Sequence, residues 1–239
     1  MNILITNDDG PEAYGLNMLR AAVIRRWKTA HVVTLTPHKS MTGQGMAISP
    51  GMDLKGAPRE QVETDWWTVR LRPADIVYLA FYHTELFLKG KGTWDLVCCG
   101  VNHGRNVGFD ILHSGTVGQA IIASTFFNCA AFSFSQDLAA GTEPINYTDD
   151  KPNFEKAYRY LLDFLNTTAP IEGECWNINF PVGPPKGYET CPVAHWSSWR
   201  PETTHVPRAR RASDDITKLL EGYITISDVN LQINPTLSY

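Results

Sequence analysis

The sequence predicts an α/β fold on a largely parallel sheet, and three observations carry that prediction. A strand-like run, an amphipathic helical segment and a second β-rich run follow one another within about forty residues, which makes a βαβ unit whose second strand returns parallel to the first. Apolar runs go on alternating with helical periodicity to about residue 136. The stretch Leu96-Val97-Cys98-Cys99 is apolar without alternation, as expected of a strand buried on both faces.

Residues 1–6 form a short apolar segment that stops at the turn formers Asn7-Asp8-Asp9-Gly10-Pro11. Over 15–27, Leu16, Leu19, Val23 and Trp27 recur at helical spacing with arginines between them. His31-Val32-Val33-Thr34-Leu35 supplies the second strand, halted by Pro37. Gly43, Gly45, Pro50 and Gly51 make 36–56 an extended loop, with room for short strands. Residues 73–88 read as a helix with Pro73 in its first turn, 94–101 as a buried strand, 116–127 as a helix and 129–134 as a strand.

Further along, Phe154, Tyr158, Leu161, Leu162 and Leu165 mark a helix at 153–165, and Trp176-Asn177-Ile178-Asn179-Phe180 alternates as a strand up to Pro181. Residues 182–211, rich in Pro, Trp and Arg without a period, read as an arm or long loop. Residues 223–226 and 229–233 suggest more strand. The length of 239 residues fits a single α/β domain over 1–239 with that arm as an appendage.

Composition narrows the function. A hydrophobic share of 43% against 19% charged residues allows a continuous core and excludes a disordered chain. A net charge of -4, without a long run of Lys or Arg, gives no electrostatic reason to bind a nucleic acid duplex. The start has no basic flank or long apolar stretch, and no run reaches membrane-spanning length, so a cytoplasmic protein with no membrane partner is expected. Cys98, Cys99, Cys129, Cys175 and Cys191 include no CxxC pair and read as reduced thiols.

Asp8 and Asp9 directly follow the first strand, and in open α/β sheets ligands bind outside the carboxyl ends of the strands. Adjacent carboxylates repel, a cost offset by a cation or by loop amides. An Asp-Gly turn with one Asp capping the next helix explains the pair equally well. Thr42-Gly43 and Asn102 emerge at the same edge. With the carboxylates they would form an all-oxygen shell suited to Mg2+ or Mn2+ and not to Zn2+. An ordinary loop hydroxyl competes for Thr42, and a helix or turn cap for Asn102.

The segment Asn102-His103-Gly104-Arg105-Asn106-Val107-Gly108 lets backbone amides approach a ligand, and His113-Ser114-Gly115-Thr116 opens a helix whose N-terminus favours an anion. His103 and His113 are candidates to protonate a leaving group, with polar-cleft lining as the plainer reading. Lys39 and Arg105 are candidates to attract phosphate, against solvated surface charge. Ser213-Asp214-Asp215 reads as a helix cap, and Trp66-Trp67, Trp196 and Trp199 as core or interface packing.

Met1-Asn2-Ile3-Leu4-Ile5-Thr6-Asn7-Asp8-Asp9-Gly10, Pro37 with Thr42-Gly43, Cys99-Gly100-Val101-Asn102-His103-Gly104-Arg105-Asn106-Val107-Gly108 and Ser114-Gly115-Thr116-Val117-Gly118 together resemble the motifs of the stationary-phase survival protein SurE family. That resemblance implies a Rossmann-like three-layer α/β/α fold, assembled as a homodimer or homotetramer. It implies a phosphatase acting on nucleoside 5′- and 3′-monophosphates with one Mg2+ or Mn2+ per subunit. The metal ligands it implies are Asp8, Asp9, Thr42 and Asn102, with Gly43, Asn106, Ser114, Gly115 and Thr116 on the phosphate side.

The family usually has Ser where Thr42 is placed, Gly-Thr-Pro where this chain has Leu71-Arg72-Pro73, and an acidic residue near Ile122. Water attack assisted by the metal, with Asp8 or Asp9 as base, is the expected mechanism. An aspartyl-phosphate route is disfavoured, because Gly10 and Pro11 stand where it needs a second acid. A phosphatase specialised for a modified nucleotide and a catalytically silent nucleotide-binding module are the alternatives.

Overall fold

The structure, a computed structural model, describes residues 1–88, 90, 92–139, 151–195 and 213–231. Its strands among those residues are β1 (Asn2–Thr6), β2 (His31–Pro37), β3 (Arg59–Glu63), β4 (Trp66–Val69), β5 (Leu96–His103), β6 (Ala130–Gln136), β7 (Cys175–Phe180), β8 (Tyr188–Thr190) and β9 (Ile224–Asp228). The α-helices are α1 (Tyr14–Arg26), α2 (Pro73–Tyr82), α3 (Gly115–Phe127), α4 (Lys151–Thr167) and α5 (Asp215–Leu220).

All the strands share one sheet in the order β3-β4-β2-β1-β5-β6-β7-β9-β8. From β4 to β7 every pairing is parallel, while β3 and β9 run antiparallel to β4 and β7. The expected α/β class with a largely parallel sheet is the one observed.

Alternate residues of the central strands serve opposite faces. Leu4, Val97 and Cys99 pack with α2 and α3, while Ile3, Ile5, Leu96 and Cys98 pack with α1 and α4. Two covered faces explain why these strands are apolar throughout. The approach of α1 to β5 is close enough to require glycine, since a Cβ on Gly15 would lie 2.0 Å from the Val101 carbonyl oxygen.

Several boundaries differ from expectation. Helix α2 stops at Tyr82, because His83 leaves helical dihedrals and a 3-10 turn, Thr84–Leu86, follows. That turn delivers Phe87 and Leu88 back into the core. The β3–β4 hairpin was not expected: all five β3 residues are exposed, so no apolar alternation betrays the strand. Trp66 is buried and Trp67 packs edge-on to Phe87 at 5.6 Å, the packing role expected of that pair.

At the C-terminal end the separate strand expected at 229–233 is not found for 229–231. The strand is β9, it ends at Asp228, and Val229 only donates to the Cys175 carbonyl. Residues 232–233 lie outside the described residues. Of the irregular region expected at 182–211, residues 182–195 contain the short strand β8. Residues 196–212, with Trp196 and Trp199, also lie outside the described residues.

Candidate metal and phosphate site

Strand β1 sits between β2 and β5, the point where the chain's crossovers change direction, and the crevice at the carboxyl ends of β1 and β5 is the natural ligand position of such a sheet. After Thr6, Asn7 closes the turn by donating its side-chain amide to the Gly10 carbonyl at 2.8 Å. This places Asp8 and Asp9 at the crevice, only 2% and 6% exposed.

Oδ1 of Asp8 accepts the Thr116 hydroxyl at 2.5 Å, and the same hydroxyl lies 3.4 Å from Oδ1 of Asn102. Asn102 donates its amide to the Gly104 carbonyl at 2.8 Å, which leaves its oxygen on the Asp8 side. A β5 bulge between Cys99 and Asn102 turns this segment out of register. Gly100, at φ +114, permits it, because a Cβ there would lie 2.3 Å from the Phe134 carbonyl oxygen. Asp9 accepts the backbone amide of His103 at 3.2 Å.

The loop after β2 reaches the same place. Met41 donates its amide to the Asp8 carbonyl at 2.7 Å, and the hydroxyls of its neighbours Ser40 and Thr42 are 3.1 Å apart. The loop thus brings two hydroxyls, of which sequence reasoning singled out Thr42 alone. Gly43, exposed at φ +79, adds an unobstructed backbone beside them.

Burial pushes the Asp8 carboxyl above its ordinary value, and hydrogen bonds from the Thr116 hydroxyl and from the backbone of Asp8, Gly115 and Thr116 pull it partly back. No Lys, Arg or His side chain pairs with Asp8 among the described residues. The first turn of α3 therefore already faces a carboxylate. A phosphate brought to the same helix end would meet like charge unless a cation lay between them. Among the described residues no three His, Cys, Asp or Glu side chains converge. A zinc-type donor set is missing there, and the side chains shown together are the Asp8 carboxylate, the Asn102 amide oxygen and the Thr116 hydroxyl, with Asp9 and the Ser40–Thr42 loop alongside, oxygen donors of the kind a hard divalent cation takes.

A family model described as Survival protein SurE matches residues 3–203. The chain belongs to the SurE family. A protein named 5'-nucleotidase SurE from Acinetobacter baumannii (strain SDF) is 33% identical over 215 residues, covering 88% of this chain and 78% of its own. One of the same name from Leptospira biflexa is 31% identical over 183 residues, covering 76% and 66%. The crystal structure of the SurE protein from Aquifex aeolicus, 22% identical, superposes with a TM-score of 0.74 over 98% of this chain and 95% of that one, so the two share a fold.

Within this SurE-family chain, Ser114 caps α3 by accepting the Val117 amide at 3.1 Å, and its own proton stays available to donate. Asn106 is anchored at 7% exposure. Its backbone amide donates to Asn179 at 2.8 Å, its side chain to Ser135 at 2.8 Å, and its carbonyl accepts Asn177 and Asn179. Asp215, fully buried, accepts the amides of Gly108, Ala194 and Ile216 at 3.0, 2.8 and 2.8 Å. Asn177, Asn179 and Asp215 thus hold the 104–108 loop, a role sequence reasoning missed for all three. Asp214 is the expected cap, accepting the Thr217 amide.

The remaining candidates separate by environment. His103 is buried against Phe154 with ring centroids 5.6 Å apart, whereas His113 is exposed and contributes its carbonyl to Gly45. Arg105 pairs with Asp137 at 3.3 Å, while Lys39 is exposed. Of the departures from the family pattern, Leu71 and Ile122 are both members of the apolar core with α2 and α3, while Arg72 is exposed at the N-cap of α2. Leu71 and Ile122 lie in that core and make none of the hydrogen bonds around Asp8.

Proposed function

We propose that this chain is a divalent-metal-dependent phosphatase that hydrolyses nucleoside monophosphates, at the 5′ position as its named relatives do and also at the 3′ position. The observation that carries the reading is Asp8 buried against the N-terminus of α3, sharing the Thr116 hydroxyl with Asn102. Membership of the SurE family, with relatives named as 5′-nucleotidases, supplies the reaction class.

Asp8, Asp9, Asn102 and a hydroxyl of the Ser40–Thr42 pair would hold one Mg2+ or Mn2+, which when bound supplies positive charge to the phosphate and acidifies water. The chain's own residues do the rest. The amides of the first α3 turn and the Ser114 hydroxyl hold phosphate oxygens. Gly115 lets the α3 end lie against Asp8 without displacing it, Gly43 leaves the loop backbone exposed beside the hydroxyls, and Asn106, fixed by β6 and β7, sets the opposite wall. Thr116 fixes the Asp8 carboxylate, leaving Asp9 to orient the attacking water and take its proton.

Purified protein supplied with p-nitrophenyl phosphate and with 5′- and 3′-nucleotides should turn over with Mg2+ or Mn2+ and stop in EDTA. Asp8→Asn should abolish turnover and keep the circular dichroism of the parent. Metal-independent turnover, or unchanged rates in Asp8→Asn, would overturn the assignment.

A further inference from the structure

A groove of about 830 Å3 begins at Pro11, two residues past Asp9, and although neither carboxylate lines it, its volume suits a small organic ligand. Pro11 and Glu12, just past Asp9, line one side of it, and His38, two residues before Ser40, lines another. The far wall comes from the β3–β4 hairpin. Because β4 is parallel to β2, its end delivers Arg70 to the same sheet edge as Asp8, and because β3 is antiparallel, its start delivers Arg59 there too. The backbone amide of His38 donates to the Val69 carbonyl at 3.1 Å, which ties the loop after β2 to this wall, and the Arg70 amide closes the hairpin on the Pro58 carbonyl at 3.0 Å.

The charges in this groove are opposite and unmatched. Arg59, Arg70, Glu12 and Glu60 all line it and all are exposed, yet no two of them lie within ion-pairing distance. Arg59 spends one nitrogen on the Lys55 carbonyl at 2.8 Å, and Arg70 makes no side-chain hydrogen bond among the described residues. No Phe, Tyr or Trp lines the groove among those residues, so a base lying there is read by its edges and not by stacking.

We infer that the groove is the base subsite and that it selects guanine, with Arg70 as the specificity-determining residue. Guanine, unlike adenine, presents two adjacent acceptors, O6 and N7, which take a guanidinium through two parallel hydrogen bonds, and unlike cytosine, whose adjacent acceptors are O2 and N3, it sets two donors side by side on a second edge. It also presents N1–H and N2–H2 donors, which a carboxylate such as Glu12 accepts. Adenine puts a donor beside N7 and so opposes one arm of the arginine. The inference rests on the phosphatase reading, which places the phosphate at the α3 end of the crevice and sends the nucleoside along the groove.

The test compares kcat/KM for GMP, AMP, CMP and UMP in the parent and in Arg70→Ala, with p-nitrophenyl phosphate as a base-free substrate for the parent. GMP should exceed AMP by about tenfold, the discrimination of one bidentate contact, and Arg70→Ala should bring that ratio near one by raising KM for GMP. Equal kcat/KM for the four nucleotides, or a guanine preference that survives Arg70→Ala, overturns the inference. Absence of turnover on p-nitrophenyl phosphate counts against the phosphatase reading alone. Calorimetric binding of GMP and AMP in Mg2+ then decides the groove: a preference for GMP that is lost in Arg70→Ala upholds it, and equal binding refutes it.

Discussion

A Cβ built on Gly115 would lie 2.6 Å from Oδ2 of Asp8 and 2.8 Å from its Cβ. The first residue of α3 and the first carboxylate after β1 are therefore in contact only because one of them has no side chain. Gly115→Ala forces Asp8 aside, an overpacking that costs about 1–3 kcal/mol and should lower metal affinity by about 10- to 100-fold. Isothermal titration with Mn2+ and a urea melt in EDTA measure the two effects. Unchanged affinity would show that Asp8 is not a ligand.

Thr116 gives one hydroxyl to Asp8 and stands 3.4 Å from Asn102. Thr116→Val keeps the shape but leaves a buried carboxylate oxygen without its donor, at about 1–3 kcal/mol, and Thr116→Ser should restore most of the loss. Urea midpoints of the three proteins in EDTA read this directly.

The hydroxyls of Ser40 and Thr42 are 3.1 Å apart, so single variants reveal which of them meets the cation. If Thr42 is the ligand, Thr42→Ala weakens Mn2+ binding and raises the metal concentration for half-maximal activity, while Ser40→Ala does so only weakly. The reverse order assigns the ligand to Ser40. Equal parent-like behaviour of both variants removes the loop hydroxyls from the shell.

Asp215→Asn replaces one of two amide-accepting oxygens with an NH2 that faces another donor. The anchor between Gly108 and Ala194 should loosen at a cost of about 1–3 kcal/mol. KM for nucleotides should rise more than kcat falls, because the altered segment holds the 104–108 wall and not the carboxylate pair. Steady-state kinetics paired with a urea melt distinguish this from a loss confined to stability.

Burial pushes the thiols of Cys129 and Cys175 up to about 12 and that of Cys191 up to about 11, from an ordinary 9.0. The folded chain keeps protons that the unfolded chain releases, so these groups add stability that is complete below pH 9 and lost as pH rises toward 11–12. The urea midpoint should fall steadily between pH 8.5 and pH 10.5. At pH 7.5 the five thiols should resist alkylation until denaturant is added, since only thiolates react. A flat midpoint across that range would contradict the burial argument.

The central βαβ elements were legible because each announces itself locally: β1, α1, β2, β5, α3 and β6 carry apolar runs or helical spacing. Asp8, Asp9 and Asn102 were legible as candidates for a related reason, since a polar residue at the carboxyl end of a buried strand already has a position in space. The β3–β4 hairpin was not, because Arg59-Glu60-Gln61-Val62-Glu63 buries nothing. The end of α2 was misplaced because the apolar pattern continues through Phe87 and Leu88 although the backbone turns. Asn179 and Asp215 act on backbone amides 73 and 107 residues away, and no local pattern encodes a partner so remote.

The placement of Asp8 and Asn102 at the carboxyl ends of neighbouring strands reaches beyond catalysis. Thr6 pairs with Cys99 in the sheet, but α1, β2, the hairpin and α2 separate them along the chain. A nascent chain that has emerged only through β4 carries both carboxylates and both hydroxyls, and still has neither the amide oxygen nor the helix end that complete the cluster. A cation held by the full set would thus act as a proofreader of assembly, retained only by molecules in which β5 and α3 have docked, and through mass action favouring them.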